Sequence, residues 1–153
     1  MKTFSLILVT AILVSCSQSS ANMAVEKIPV GSLVNSWTNT WNNHDSAGVR
    51  DLFMNDALVI DNDLISNNIE DISTEWIGPN INAVNNFKAV KLQEWSAADR
   101  AGYTGHYEFD YGVQDSAMTK AKGVFTLNWI KTEKGNWKIT TADIHSVAPN
   151  RNE

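Results

Sequence analysis

Apolar side chains at Val30, Leu33, Val34, Trp37 and Trp41 recur at i, i+3, i+4, i+7 and i+11, the stripe of a helix over about residues 29–43. Asn42-Asn43-His44-Asp45 ends that pattern. Asp45 or Ser46 is then placed to cap a shorter helix with Val49, Leu52 and Phe53 on one side. Residues 56–61, Asp-Ala-Leu-Val-Ile-Asp, follow as a strand entering the core, closed by the polar Asp61-Asn62-Asp63. Over residues 64–78 the apolar positions Ile65, Ile69, Ile72, Trp76 and Ile77 show no clean period, which reads as a loop with a short strand near residues 75–77. Gly78-Pro79 predicts the start of a third helix, Pro being tolerated in a first turn, with Ile81, Val84, Phe87 or Lys88, Leu92 and Trp95 as its stripe to about Gln93.

Strict alternation takes over at Tyr103. Tyr103, Gly105, Tyr107, Phe109, Tyr111 and Val113 share one face, and Thr104, His106, Glu108 and Asp110 the other. Two runs rich in Val, Phe, Thr, Trp and Ile then flank a polar loop with Gly135 near its end, a β-hairpin over residues 120–146 with a left-handed Gly position. By alternation Trp137, Ile139, Thr141, Asp143 and His145 lie on one side of the last strand, and Lys138, Thr140, Ala142, Ile144 and Ser146 on the other. A face graded from aromatic to titratable suits the wall of a ligand pocket. The order α-α-β-(β)-α-β-β-β predicts an α+β domain, a cone-shaped curved antiparallel sheet packed against three N-terminal and middle helices.

The start of the chain changes the picture of where this domain works. Lys2 precedes a run from Phe4 to Val14 too short to cross a bilayer as a permanent helix and built like a secretion signal. Leu13-Val14-Ser15-Cys16 resembles the bacterial lipobox, with the chain's one cysteine at the position that takes lipid. The expected organisation is a signal peptide over 1–15, a lipidated Cys16 and flexible tether over 16–28, the domain over 29–148 and a tail over 149–153. Ser17 after the cysteine resembles the outer-membrane sorting pattern, so the expected location is the cell envelope, on the periplasmic face of the outer membrane. Lipid on Cys16 leaves no thiol for a disulfide, a nucleophile or a metal site. The chain carries 12 basic against 17 acidic residues, a net charge of −5, and loss of Lys2 makes it more acidic. Such a balance, without any basic run, argues against nucleic acid as a partner.

Three segments carry a family resemblance: Trp41-Asn42-Asn43-His44-Asp45-Ser46, Leu52-Phe53-Met54-Asn55-Asp56-Ala57 and Gly135-Asn136-Trp137-Lys138-Ile139. In their order, from about Val30 to Ser146, they look like the SnoaL-like branch of the nuclear transport factor 2-like superfamily. The resemblance implies a cone of sheet closed by three helices, an apolar pocket at one end and frequent homodimerisation through the outer sheet face. It also places Asp61 where ketosteroid isomerases in the superfamily hold their general base, four residues after an Asp-Ala pair. The isomerase oxyanion tyrosine falls at Trp37, and its acidic partner near Leu127 or Asn128, so both donors are changed here.

The candidate catalytic groups are Asp61, as a base raised by apolar neighbours, and Asp143 with His145, as an acid–base or orienting pair. The plainer roles are a turn cap for Asp61 and a rim pair or dimer contact for the other two. Trp37, Trp41, Tyr111, Trp129 and Trp137 are the expected pocket wall, equally serviceable as bulky wedges between helix and sheet. Asp61, Asp63, Asp143 and His145 have the composition of a metal set, but no spacing signature supports a metal. No cofactor is implied. The leading expectation is a lipid-anchored domain whose pocket binds a small apolar or carbonyl-containing molecule. The alternatives are an isomerase, dehydratase or cyclase using Asp61, and a non-catalytic dimerisation or interaction module.

Overall fold

The computed structural model describes Ile28, residues 30–113 and residues 117–147. The signal segment, Cys16 and the tail from residue 149 lie outside the described residues. Helix α1 spans Val30–Asn42 and buries Val30, Val34, Trp37 and Trp41, the expected stripe. Helix α2 spans Ser46–Asp51, and Asp45 caps it by accepting from the Gly48 N–H at 2.8 Å. Strand β1 then runs Phe53–Asp61, starting three residues earlier than its apolar core suggested, because Phe53 turns inward as the first strand residue instead of closing the helix.

Two expectations in the middle of the chain are corrected. Residues 64–78 are not a loop: β2, Leu64–Ser66, folds back on β1 through a tight turn with Asn62 at φ 53°. A helical segment follows over residues 69–80, composed of Ile69–Asp71, a π-helical run Ile72–Ile77 and Gly78–Asn80. Asn68 caps it, its Oδ1 accepting from the N–H groups of Glu70 and Asp71. Pro79 cannot donate to a carbonyl one turn back and its ring crowds that carbonyl, so the wide π turns just before it accommodate the ring. The buried positions Ile69, Ile72, Trp76 and Ile77 therefore follow no single helical period.

The expected third helix over 79–93 is instead β3, Val84–Ser96, an edge strand paired with β4, Arg100–Tyr111. Its register shifts between Asn85 and Lys88 and between Lys91 and Gln93, and Asn86 takes φ 54°. An extra residue of this kind lengthens the apparent repeat from two to three, so Val84 and Phe87 imitate part of a helical stripe.

β4 pairs with β5, Thr119–Lys131, and β5 with β6, Trp137–Ser146, across a hairpin whose Gly135 has φ 85°. The six strands form one curved sheet in the order β2-β1-β6-β5-β4-β3. It is antiparallel except where β1 lies parallel to β6, so the sheet is mixed. The helices cover its concave side, and the core lies between, with Leu127, Ile139, Ile72 and Ile77 almost wholly buried. Burial of such side chains stabilises the domain by about 1.5–3 kcal/mol each.

Candidate ligand pocket

One irregularity in β6 decides which residues can reach a ligand. Asn128 pairs with Thr141, but the next residue, Trp129, pairs with Ile139, leaving Thr140 as an extra residue in β6. The Thr140 hydroxyl donates to Asn128 O at 3.3 Å. Beyond that bulge the faces exchange: Ile139 is buried, then Ala142, and Ile144 and Ser146 continue the concave side. Asp143 and His145 are thereby turned to the convex side, contrary to the alternation read from the sequence. They do form a pair, with His145 Nε2 2.9 Å from Asp143 Oδ1, but on the outer surface. Asp61 pairs in parallel with Ile144, on the other side of the sheet from Asp143. Asp61 and Asp143 therefore do not share a hollow. Nor is the composite set with Asp63 gathered: among the described residues, no three His, Cys, Asp or Glu side chains cluster as metal ligands.

A cavity of about 240 Å³ does lie between α1, the helical segment 69–80 and the concave sheet, and Asp61 borders it. Its inner end is a tryptophan cluster. Trp37 stacks on Trp76 with centroids 5.8 Å apart, and Trp41 meets Trp76 edge-on at 5.1 Å. The opposite wall is a ladder of rings from β3 and β4: Phe87, Tyr107 and Phe109 are stacked at 5.3–6.3 Å, and Tyr111 continues the row at 6.3 Å from Phe109. Phe87 is fixed by Asn42 at the end of α1, whose side chain accepts from Phe87 N–H and donates to Phe87 O, occupying both backbone groups at the β3 bulge. Tyr107 lies over Gly123 of β5, where an added Cβ would come within 2.7 Å of its ring. Only glycine allows that approach.

Polar groups gather at the mouth. The indole N–H of Trp76 donates to Asp61 Oδ2 at 2.9 Å, and the Asn62 amide donates to Asp61 Oδ1 at 2.9 Å. Asn62 also donates to Ser146 Oγ and accepts from Ser146 N–H, so β1 and β6 are clamped beside the carboxylate. Ser146 Oγ lies 3.3 Å from the Tyr107 hydroxyl. Burial holds that hydroxyl above the usual phenol value, the Ser146 hydrogen bond pulls the other way, and the Asp61 charge adds to the rise. Tyr107 is therefore a neutral hydroxyl at physiological pH. Across the mouth, Tyr111 donates to Asn80 Oδ1 at 3.1 Å, and Asn80 donates to Trp76 O. The indole nitrogens of Trp37 and Trp41 are buried without a hydrogen-bond partner and out of reach of the cavity space, so these rings present carbon surface to it.

Of the expected wall, Trp37, Trp41 and Tyr111 line the cavity and Trp129 and Trp137 do not. Trp129 is buried further along β5 from the lining residue Phe125, beyond Leu127, and Trp137 packs half-buried against the core. Trp76, Phe87, Tyr107, Phe109, Asn80 and Ser146 were not singled out. Tyr107 and Phe109 carried a signal in sharing Tyr111's face of an alternating strand. Trp76 and Phe87 carried none, since their elements were misread. Of Leu127 and Asn128, near which the resemblance sets the isomerase acid, Leu127 is fully buried and offers no donor.

No family model matches this sequence, and no curated protein matches it. Solved structures do resemble it. A ketosteroid isomerase-like protein from Erwinia carotovora atroseptica superposes with a TM-score of 0.68 at 13% identity, over 78% of this chain and 95% of its own. A nuclear transport factor 2-like superfamily protein from Salmonella enterica serovar Typhimurium gives 0.67 at 12%, over 80% and 92%. A conserved protein from Planctomyces limnophilus gives 0.68 at 13%, over 77% and 93%. The chain has the nuclear transport factor 2-like α+β fold.

Proposed function

We propose that this domain binds a small, partly apolar molecule in the cavity between the tryptophan cluster and the β3–β4 ring ladder. The observation that carries the reading is the segregation of that cavity: aromatic carbon on its floor and far wall, and Asp61, Asn62, Ser146 and Asn80 gathered at its mouth. Concave apolar sites with a few convergent polar groups are how proteins hold small ligands, the apolar part giving affinity and the polar part orientation. The likeness to a ketosteroid isomerase-like protein supports a ligand-binding or isomerase-type domain. Within the superfamily, the SnoaL-like branch remains the reading that the sequence motifs favour.

Trp37, Trp41 and Trp76 give the test its signal. Titration of the purified domain with a panel of small aromatic and carbonyl-containing compounds should quench or shift tryptophan fluorescence saturably, and Phe109→Trp, which fills the cavity, should abolish the effect. Absence of any saturable change across the panel would refute a ligand pocket.

Asp61 favours a second reading, proton transfer next to a carbonyl. It is the residue of the original catalytic set that borders the cavity, and it stands beside a neutral Tyr107 hydroxyl able to donate a hydrogen bond. If a bound carbonyl compound is turned over, Asp61→Asn should remove turnover and leave binding within a few-fold. Equal rates in the two proteins would count against Asp61 as the base.

A further inference from the structure

The reading of a ligand pocket says nothing about the charge of what enters it, but the lining does. Among the described residues that line the cavity, Asp61 is the one charged side chain; no Lys, Arg or His reaches it. The rest of the lining is mostly aromatic: Trp37, Trp41 and Trp76 on one side, Phe87, Tyr107 and Phe109 on the other, with Phe87 and Phe109 the more open of them. The indole nitrogens of Trp37 and Trp41 at the floor have no hydrogen-bond partner and no exposed surface. What remains is an aromatic lining with a fixed carboxylate at its open edge. Trp76 and Asn62 donate to that carboxylate from the side and hold it in place, and neither neutralises it.

We propose that the ligand is a small organic cation, an amine or quaternary ammonium on an apolar body. The ammonium sits against the ring faces near Asp61 and the apolar part lies towards the tryptophan floor. The physical case is the sum of two attractions of the same sign. The quadrupole of each aromatic ring draws a cation over its face, and the carboxylate adds a Coulomb attraction strengthened by partial exclusion of water. A carboxylate or phosphate ligand would meet the opposite of both. The acidity of the chain as a whole, with a net charge of −5, favours the approach of cations as well. This inference rests on the ligand pocket proposed above and adds the chemical class of what fills it.

A matched pair of probes separates the two. Benzyltrimethylammonium and its uncharged carbon isostere, neopentylbenzene, have the same shape and differ in charge. The expected result is binding of the cation about tenfold or more tighter than the isostere, with the preference falling as salt is raised. In Asp61→Asn, which keeps an oxygen acceptor for the Trp76 indole, the cation should lose most of that preference while the isostere is unaffected. In Phe109→Leu the cation should lose more affinity than the isostere. Equal affinity for the two probes in the native protein would overturn the cation proposal and leave the pocket standing. Tighter binding of the isostere would do the same. Binding of neither probe would overturn the cation proposal, and the pocket would then stand or fall on the fluorescence panel.

Discussion

Tyr107 shows how much a single residue's position decides. It stands on glycine, faces the cavity and touches Ser146, and its hydroxyl is held neutral chiefly by burial. Tyr103 is raised too, by burial first and by the Glu94 charge second. Both groups have a folded-state pKa above the unfolded value of 10.0. The folded state thus keeps its protons longer, so their contribution to stability is whole below about pH 10 and is lost as pH rises through the folded values. The urea midpoint should hold steady across neutral pH and fall above pH 10. Tyr107→Phe should flatten that fall, measured against the native protein at matched pH. A midpoint that falls equally in both would mean that Tyr107 does not resist ionisation.

At the scale of elements, β6 is the one whose irregularity orders the site. Were Thr140 paired as an ordinary strand residue, the alternation would carry Asp143 and His145 to the concave side and expel Ala142 and Ile144, as the plain reading of the strand expects. Deletion of Thr140 should therefore remove the unpaired residue and leave Ile139 and Thr141 opposite Trp129 and Asn128, with Ala142 and Ile144 still inward and Asp143 still outward. The expected outcome is a near-ultraviolet circular dichroism spectrum like that of the native protein and a cooperative urea transition. Thr140→Ala, which keeps the residue count, should stay within about 1 kcal/mol of the native protein. A deletion variant without a cooperative transition would show that Thr140 is not a free extra residue and that the faces are set in another way. The bulges in β3 act in the same way, bending an edge strand so that Phe87 reaches the cavity while Val90 and Leu92 stay exposed on the outside.

For the whole molecule, the fold leaves the cavity open at Asn62, Tyr111 and Ser146, and its outer sheet face carries Val90, His106, Val124 and His145 in one row across four strands. No helix among the described residues is long and apolar enough to cross a membrane. A tether through Cys16 to the envelope, on the periplasmic face of the outer membrane, is thus a proposal resting on the lipobox-like Leu13-Val14-Ser15-Cys16. In a bacterial host the full chain should partition with membranes and release its signal segment, and Cys16→Ser should move it out of the membrane fraction. Membrane association unchanged by that substitution would dismiss lipid on Cys16 as the anchor.

Sequence by itself determined the features that local rules govern. The α1 stripe needs only a 3.6-residue repeat, the α2 start needs only Asp45 as a cap, the alternation of β4 needs only a pleat, and the hairpin needs a residue such as Gly135 at positive φ. Those features sufficed for the fold class and for Trp37, Trp41, Asp61 and Tyr111 at the cavity. The tertiary structure decided what depends on a partner strand or on packing. Whether β3 is helix or strand turned on its pairing with β4. The side of the sheet taken by Asp143 and His145 turned on one unpaired residue opposite the Asn128–Trp129 step of β5. A bulge leaves no mark in a strand's own sequence, because it is a mismatch between two strands, and every side chain after it changes sides.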